Sequence, residues 1–375
     1  MATSLLRLPS PFDAHVHLRQ GALMRLVTPH VQQGGIKMAY VMPNLVPPVT
    51  TPSHALSYLK ELQALSPNTH FLPSMYLTTN LTPAQIREAH AGGVVGVKSY
   101  PRGVTTNSEG GVGMEGYGVF DEVFAEMEKV DMILNLHGEV PSDVDGDGCC
   151  VLNAEPRFLP HLLEIHRKFP KLRIVLEHCT TAAAVECVKT LPPNVCATIT
   201  PHHLALTIDH AVSSPLHFCK PVAKYPSDRA ALRAVIREGH PQFFLGSDSA
   251  PHPSGNKMPT MKVLRSTLDG GIDEVTLPSP CAAGIYTSDN LIPLVATIFE
   301  SSDIPLERMS GFVSEFGRRF YGFAAKPEDE VVIRRIGEGK VIKKAYQFER
   351  DGDAGREYVV PFMAGEKLNW EIVEA

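Results

Sequence analysis

Two histidines lie two residues apart in the segment Asp-Ala-His-Val-His-Leu-Arg, residues 13–19. Side chains of a β-strand alternate between its two faces, so His15, His17 and Arg19 share one face if this segment is a strand. Two imidazoles on one face can bind a single metal ion, since each offers a nitrogen ligand. Asp13 lies on the same face and is expected to hydrogen-bond a neighbouring imidazole. An isolated pair of this spacing is about as often two core or surface histidines, so metal binding requires further ligands elsewhere.

Four more polar residues each end an apolar run: they are Lys98, His137, His178 and Asp248. Barrel enzymes of the (β/α)8 type place their catalytic groups at the carboxyl ends of the strands. One charged residue in such a place is usually a solvated strand end. Four on separate strands, together with the histidine pair on a fifth, predict one metal centre at the mouth of a barrel.

Lys98 is an unusual member of this set, because an ammonium group has no acceptor and is repelled by metal cations. Burial beside positive charge lowers the pKa of an amine. The neutral amine can then react with carbon dioxide, which gives an anionic carbamate whose two oxygens can bridge two ions. The alternative is that Lys98 pairs with an acid such as Asp248 and binds no metal.

Short apolar runs rich in β-branched residues alternate with helical patterns, which is typical of βαβ units and a parallel sheet. Eight strands are predicted, at residues 12–18, 38–42, 70–77, 94–99, 132–137, 173–178, 195–200 and 243–248. Helical patterns lie between them at 53–65, 83–91, 120–130, 155–169 and 227–239, and Ser53 and Asp228 are placed to cap helix starts. Eight strands with crossover helices favour an α/β fold of the (β/α)8 TIM barrel type. The periodicity alone also allows an open doubly wound sheet.

The chain beyond the eighth strand is expected to be irregular over residues 251–290 and helical over 291–301 and 305–321. The tail, residues 331–375, mixes charge with short strand-like runs. We expect the tail to pack beside the barrel and not to form a domain of its own. Residues 1–375 are therefore predicted to form a single domain.

The composition argues against several partners. The chain of 375 residues has a formal net charge of −6 and no basic run, which argues against nucleic-acid binding. No apolar run approaches the length of a transmembrane helix, and the first residues are too weakly apolar for a signal peptide. The seven cysteines show no C-x-x-C spacing and are expected to be reduced thiols. We therefore expect a cytoplasmic protein that binds neither nucleic acid nor membranes.

The chain resembles the shorter, monofunctional dihydroorotases of the amidohydrolase superfamily. The matching motifs are HVHLR (15–19), VMPNLVPPVTT (41–51), VKSYP (97–101), TTNS (105–108), HGE (137–139), EHCTT (177–181), TITPHHL (198–204), GSDSAPH (246–252) and VPFMAGE (360–366). They follow the order of the family from residue 12 to residue 366, so the resemblance covers nearly the whole chain.

The resemblance implies a centre of two zinc ions in each subunit. One zinc would be held by His15, His17 and Asp248, and the other by His137 and His178. A carboxylated Lys98 would bridge both, together with a hydroxide. The family interconverts N-carbamoyl-L-aspartate and L-dihydroorotate in pyrimidine synthesis. In the hydrolytic direction the hydroxide attacks the cyclic amide carbonyl, and Asp248 takes the proton and delivers it to the leaving nitrogen.

The same resemblance implies residues that hold this small-molecule substrate. Its carboxylate would be held by Arg19, Asn44 and His252, of which Arg19 offers a planar fork suited to that group. The glycine-rich segment 101–118 would act as a lid on which two neighbouring threonines, Thr105 and Thr106, reach the substrate. Backbone groups near Lys220 and Ala283 would contact the ring, although the stretch 253–280 is longer than its counterpart in the family. The family also implies a homodimer.

Some neighbouring polar residues are assigned supporting roles. His202 and His203 follow the seventh strand and are expected to be structural or to support the ligands, since the metal shell is already full. Glu139 and Glu177 flank metal ligands and are expected to orient them, although alternation turns Glu177 away from the face of His178.

Three other functions are compatible with parts of the pattern. A hydantoinase or allantoinase would share the metal ligands but would not need a fork for a ring carboxylate, so Arg19 with Asn44 and His252 favours dihydroorotate. A non-catalytic barrel, used as a scaffold, would be expected to have lost ligands. A metal-dependent deaminase would not need a carboxylated lysine and would leave the MPN and TTNS motifs unexplained.

Overall fold

Parallel strands and the helices between them form most of the chain. The computed structural model describes residues 4–113, 116–142, 146, 148–258, 260–266, 272–278, 280–352 and 355–374. The strands are β1 Leu5–Leu8, β2 Phe12–Val16, β3 Met38–Val41, β4 His70–Leu72, β5 Ser74–Tyr76, β6 Gly96–Ser99, β7 Ile133–His137, β8 Ile174–Glu177, β9 Val195–Ile199, β10 Phe243–Leu245, β11 Thr260–Ser266, β12 Ile272–Pro278, β13 Val331–Val341, β14 Tyr346–Glu349, β15 Arg356–Val359 and β16 Lys367–Glu374. The α-helices are α1 Gly21–Gln33, α2 Pro52–Leu65, α3 Pro83–Ala91, α4 Asp121–Lys129, α5 Ala154–Lys168, α6 Ala182–Thr190, α7 Pro201–Ala205, α8 Ile208–Ser213, α9 Pro226–Glu238, α10 Ser254–Lys257, α11 Leu291–Ser301 and α12 Phe316–Tyr321.

Strands β2 to β10 form a closed parallel barrel. The hydrogen-bonded order is β2-β3-β4 and then β5-β6-β7-β8-β9-β10. Pro73 separates β4 from β5 because it has no N–H to donate, but its carbonyl accepts a hydrogen bond from the amide of Val95 at 3.0 Å, so the two pieces act as one strand. On the other side, Val16 and Ser249 form a parallel bridge, and the amide of His17 donates to the Ser249 carbonyl at 3.0 Å. The predicted (β/α)8 barrel is therefore confirmed, and the open sheet is excluded.

The eight predicted strands are all present, and their burial explains why the sequence predicts them. Every residue of β2, β7 and β9 is buried. Parallel strands covered by helices read as nearly continuous apolar runs, which makes them conspicuous in the sequence. Several helices begin with a threonine whose side chain accepts from a free backbone amide, as Thr51 does for α2 and Thr181 for α6. For α2 the cap is thus Thr51, and the expectation that Ser53 caps this helix was wrong.

The segment expected to be irregular, 251–290, contains regular structure. It holds the short helix α10 and an antiparallel hairpin in which β11 pairs with β12 from Thr260↔Pro278 to Ser266↔Ile272. The two sequences, TMKVLRS and IDEVTLP, mix charged, polar and apolar residues. Such a ribbon pairs with itself and lacks the apolar run of a buried strand, so sequence periodicity alone did not reveal it.

The tail adds a second, smaller sheet. Strand β13 pairs antiparallel with β1 on one side and with β16 on the other, while β14 and β15 form a hairpin. Strand β16 lies along α11, where the amide of Asn369 donates to the hydroxyl of Thr297 at 3.0 Å. The number of domains in residues 1–375 stays a prediction. Among the described helices, none combines the length and the apolar character that crossing a bilayer requires.

Candidate active site

His15, His17 and Asp248 converge at the barrel mouth. The Nε2 atoms of the two histidines are 3.3 Å apart, and Asp248 Oδ1 lies 3.4 Å from His15 Nε2 and 3.0 Å from His17 Nε2. The other ring nitrogens face acceptors, since His15 Nδ1 is 2.8 Å from Glu177 Oε2 and His17 Nδ1 is 2.7 Å from Asn44 Oδ1. Each Nδ1 must carry a proton in order to donate to the oxygen that it faces. The Nε2 of a neutral ring is then unprotonated, and its lone pair faces the carboxylate. Three such lone pairs repel one another at these distances unless a cation lies between them, so this donor set fits a metal ion.

Lys98, His137 and His178 stand beside this group. The ring centroids of His137 and His178 are 4.4 Å apart, and those of His15 and His178 are 5.2 Å apart. Lys98 is fully buried, and among the described residues its Nζ has no hydrogen-bond partner. The alternative in which Lys98 pairs with Asp248 therefore finds no support. An unpartnered buried amine is costly, which makes Lys98 a candidate for chemical change or for contact with a bound group.

The shifted pKa values of the basic groups at this site favour their neutral forms. Burial lowers the pKa of Lys98 to about 8, against the attraction of Glu177 and Asp248. Burial likewise lowers the pKa of His17 to about 4 and holds that of His178 well below its usual value, helped by the charges of His137 and Lys98. Burial opposes ionisation of Asp248, but contact with His17 and the other nearby imidazoles outweighs that cost and lowers its pKa. An anionic carboxylate among neutral imidazoles is the state that binds a divalent cation.

The carboxylates of Glu177 and Glu139 orient two of the histidines by contacting the ring nitrogen that does not face the site. Glu177, fully buried, accepts from His15, from the Thr198 hydroxyl at 2.6 Å and from the Asn135 amide at 2.7 Å. Glu139 Oε2 lies 2.9 Å from His137 Nε2, which leaves His137 Nδ1 for the site. Asp13 differs from expectation: it accepts from the backbone amide of His15 and from the amide and hydroxyl of Ser247, and not from an imidazole. It therefore joins β2 to the end of β10 and does not orient a ligand.

Three residues at strand ends have left-handed backbone conformations. Arg19, His178 and Asp248 have φ values of 60°, 40° and 45°. Such a conformation costs a non-glycine residue about 1–3 kcal/mol, and it persists where the surrounding structure enforces it. Here it turns each side chain from the end of its strand toward the barrel mouth.

The pocket over these residues contains most of the predicted site. It is lined by His15, His17, Arg19, Asn44, Tyr100, Thr105, Thr106, His137, His178, Lys220, Asp248, Ala250, Ala283 and Gly284. Two predicted residues lie just outside this lining: Lys98 is beneath it, and His252 is behind Arg19. Sequence reasoning missed Tyr100, Ala250 and Gly284. Tyr100 could have been predicted, because it lies two residues after Lys98 and so shares its face of the strand.

Arg19 lines one wall of the pocket, and His252 lies behind it. The Nε of Arg19 donates to the Pro251 carbonyl at 3.0 Å, and one of its terminal nitrogens is 3.1 Å from His252 Nε2. His252 Nε2 also lies 2.9 Å from the Ala283 carbonyl. Burial and the charge of Arg19 lower the pKa of His252 to about 2, so this ring is a neutral donor. The amide of Asn44 donates to the Thr106 carbonyl at 3.0 Å and so ties the loop 101–118 to the site.

A second cluster, His202, His203 and Cys219, also brings its possible ligand atoms within 4.8 Å of one another. Both ring nitrogens of His203 are engaged, one 2.8 Å from the Thr200 hydroxyl and the other 3.0 Å from the Pro221 carbonyl. The thiol of Cys219 faces the same carbonyl at 3.2 Å. These contacts support the expected structural role of His203, whereas neither ring nitrogen of His202 has a hydrogen-bond partner among the described residues.

Comparisons with known proteins agree with this geometry. Residues 7–276 match the amidohydrolase family. The dihydroorotase of Mycosarcoma maydis is 49% identical over 398 aligned positions that cover 100% of each chain. The probable dihydroorotase of Schizosaccharomyces pombe is 43% identical, covering 97% of this chain and 98% of its own. The crystal structure of the Saccharomyces cerevisiae dihydroorotase in complex with 5-fluoroorotic acid superposes with a TM-score of 0.85 at 41% identity, covering 98% of both chains. The chain therefore belongs to the amidohydrolase family and, within it, to the dihydroorotases.

Proposed function

We propose that this chain catalyses the reversible interconversion of N-carbamoyl-L-aspartate and L-dihydroorotate, a step of pyrimidine synthesis, with two zinc ions in each subunit. The observation that carries the proposal is the convergence of the Nε2 atoms of His15 and His17 on Asp248, beside a wall that contains Arg19. The family and the close relatives, which are named dihydroorotases, supply the substrate pair.

The proposed ligands divide into two groups. His15, His17 and Asp248 would hold one zinc ion, and His137 and His178 the other. A carboxylated Lys98 would bridge the two, and its lack of a hydrogen-bond partner supports this assignment. The ammonium group first loses one proton, and the neutral amine then adds to carbon dioxide with loss of a second proton. A repelled cation is thus converted into an anion with two oxygen ligands. Imidazole and carboxylate oxygen are common zinc ligands.

Two zinc ions in this place would lower the pKa of a water molecule between them and polarise the scissile carbonyl. The protein's own contribution is proton transfer by Asp248. In ring opening Asp248 would accept the proton from the attacking water and pass it to the ring nitrogen as the amide C–N bond breaks. In ring closure the same carboxylate would take the proton from the attacking nitrogen. Its lowered pKa keeps it ionised and ready to accept in the hydrolytic direction.

The remaining predicted residues would bind the organic substrate. Arg19, Asn44 and His252 would hold its carboxylate, and His252, being neutral, would add no charge. Thr105 and Thr106 would cover it from the loop 101–118, where Thr105 has a buried hydroxyl that no described residue bonds. Lys220 and Ala283 would contact its ring. A hydantoin has no ring carboxylate and would leave the Arg19 wall without a partner.

Two further parts of the proposal concern the cellular compartment and the oligomeric state. The seven cysteines are all free thiols, which suits a reducing compartment such as the cytoplasm. A homodimer is proposed from the family resemblance alone.

Zinc counting and turnover test the function. Wild type, Lys98→Ala and Asp248→Ala are purified, their zinc is measured, and loss of dihydroorotate absorbance is followed. We expect turnover by wild type with about two zinc ions, and a loss of about 10²- to 10⁴-fold or more in each variant. Lys171→Ala, at an exposed lysine on the far side of β8, serves as the control and should match wild type. Unchanged turnover in either site variant would refute the mechanism, and hydrolysis of a hydantoin but not of dihydroorotate would change the substrate.

A further inference from the structure

Lys257 is a buried cation that the proposed mechanism does not use. It is the last residue of α10, and its side chain is 5% exposed. Its Nζ donates three hydrogen bonds, all to backbone carbonyls: Phe218 at 2.8 Å, Ala282 at 2.9 Å and Gly284 at 2.9 Å. An ammonium group has three protons, so every one of them is used.

Lys257 binds these carbonyls without the help of an acid. Among the side chains that the structure describes, no carboxylate forms an ion pair with its Nζ, and the centroid of the Phe218 ring is 5.9 Å away. Burial accordingly lowers the pKa of the amine. Holding a cation in such a place is costly, and the compensation comes from hydrogen bonds of a charged donor, which are stronger than neutral ones.

The three carbonyls belong to two segments that line the active-site pocket. Residues 218–220 carry Lys220, and residues 282–284 carry Ala283 and Gly284. The segments are directly joined, since the amide of Gly284 donates to the Phe218 carbonyl at 3.0 Å. Gly284 has a φ of 155°, and a Cβ there would lie 2.5 Å from the Ala250 carbonyl, so the wall is tightly constrained at this point.

On its other side, this wall borders a cavity. The cavity has a volume of about 170 Å³ and is lined by His252, Lys257 and Gly284, with the tail residues 360–364 across from them. A cavity removes the van der Waals contacts that would otherwise fix a segment. We therefore expect the hydrogen bonds of Lys257 to hold these two segments in position.

We propose that Lys257 is a positioning residue for substrate binding. Its ammonium group sets the spacing of segments 218–220 and 282–284, and so places the Ala283 carbonyl, which faces His252 Nε2 beside Arg19. The inference rests on the proposed function. It differs from that function in its consequences, because Lys257 contacts no proposed zinc ligand and should affect substrate binding while zinc remains bound.

Lys257→Met keeps an unbranched side chain that is one heavy atom shorter and removes all three donors. We expect KM for dihydroorotate to rise by about 10- to 100-fold, with kcat within a few-fold of wild type and an unchanged zinc content. Lys257→Arg retains charge and donors in a planar fork that cannot reach three divergent carbonyls equally, so its KM should be intermediate. Arg233→Met is the matched control. It removes a cation that donates to the Leu204 carbonyl away from the pocket, and it should leave KM unchanged.

Amide hydrogen exchange gives a readout that does not require turnover. Peptides that cover residues 280–287 should exchange faster in Lys257→Met than in wild type, and not faster in Arg233→Met. Wild-type exchange together with a wild-type KM in folded Lys257→Met would overturn the proposal, and so would loss of zinc with an equal fall in kcat. If Lys257→Met does not fold, a wild-type KM in Lys257→Arg together with wild-type exchange would overturn it. An inactive, zinc-replete wild type would instead refute the proposed function, and the exchange comparison would still decide the role of Lys257.

Discussion

At the scale of single residues, the proposed zinc ligand His15 depends on a carboxylate that never touches the pocket. Glu177 is fully buried and receives three hydrogen bonds, from His15, Thr198 and Asn135. Burial opposes its ionisation, but the imidazole of His15, its hydrogen bond and the charge of Lys98 outweigh that cost and lower the pKa of Glu177. An anionic acceptor fixes the proton on His15 Nδ1 and makes Nε2 the better ligand.

Replacing Glu177 by glutamine should weaken metal binding without removing a ligand. Glutamine keeps the shape but loses the charge, and its NH₂ group faces a donor where an acceptor is needed. We expect zinc affinity to fall by about 10- to 100-fold, measured by competition with a chelator of known affinity. Glu164→Gln, at an exposed residue of α5, is the control. Equal zinc affinities of Glu177→Gln and wild type would show that the carboxylate does not tune the centre.

The residues of the site were more predictable than their partners. Spacing within a strand predicted that His15 and His17 share a face, and Glu139, two residues after His137, was a reasonable partner for it. Glu177 contacts a histidine 162 positions away, a pairing that only barrel closure creates. Sequence reasoning therefore expected Glu177 to orient its neighbour and could not find its real partner.

At the scale of elements, helix α5 is joined to the loop that follows β8 through Glu155. One oxygen of this buried carboxyl accepts from the Thr180 amide at 2.9 Å, and the other bonds the Thr181 hydroxyl. Burial raises the pKa of Glu155 from 4.5 to about 7, against the charge of Lys224 and these hydrogen bonds. The folded protein therefore binds the Glu155 proton more tightly than the unfolded chain does.

This raised pKa predicts a pH-dependent contribution to stability. The contribution is fully present below pH 4.5 and is lost as pH rises through about 7. At about 1.4 kcal/mol for each pKa unit, the loss amounts to roughly 3 kcal/mol. Glu155→Gln abolishes the titration, so the free energy of unfolding of wild type relative to Glu155→Gln should decline between pH 4.5 and 7.5. Urea unfolding at constant zinc measures it. Glu164→Gln should give a curve parallel to wild type, and a parallel curve for Glu155→Gln would contradict the assignment.

The barrel elements were predictable because their burial leaves a strong pattern, whereas the added elements were not. Each strand from β2 to β10 lies within a predicted apolar run, and the structure adds only the break at Pro73 between β4 and β5. The β11–β12 hairpin was missed because its strands pair with each other outside the barrel. Order in this region also comes from tertiary contacts such as the Lys257 hydrogen bonds, for which the local sequence gives no signal.

At the scale of the whole molecule, the tail is connected to the rest of the chain at further places besides the contact of β16 with α11. Strand β13 pairs with β1, from Leu5↔Arg334 to Leu8↔Val331, just before the chain enters the barrel. Near the site, Tyr286 and Pro361 form a parallel bridge, and the amide of Phe362 donates to the Tyr286 carbonyl at 2.7 Å. Ile285 in turn bridges Ser249, which closes the barrel against Val16. These connections lead us to propose that the tail and the barrel fold as one unit.

The single tryptophan makes this proposal testable. Trp370 lies in β16 and is completely buried, so its fluorescence reports on the tail alone, whereas far-UV circular dichroism reports mainly on the barrel helices. If residues 1–375 form one domain, urea unfolding at constant zinc should give the same midpoint by both probes. Asn369→Ala, which removes the side-chain bond to Glu300 while keeping the backbone bond to Thr297, should shift both midpoints together. A tryptophan transition at lower urea than the circular dichroism transition would instead mean that the tail detaches from an intact barrel, because only contacts between the two parts would then have been lost.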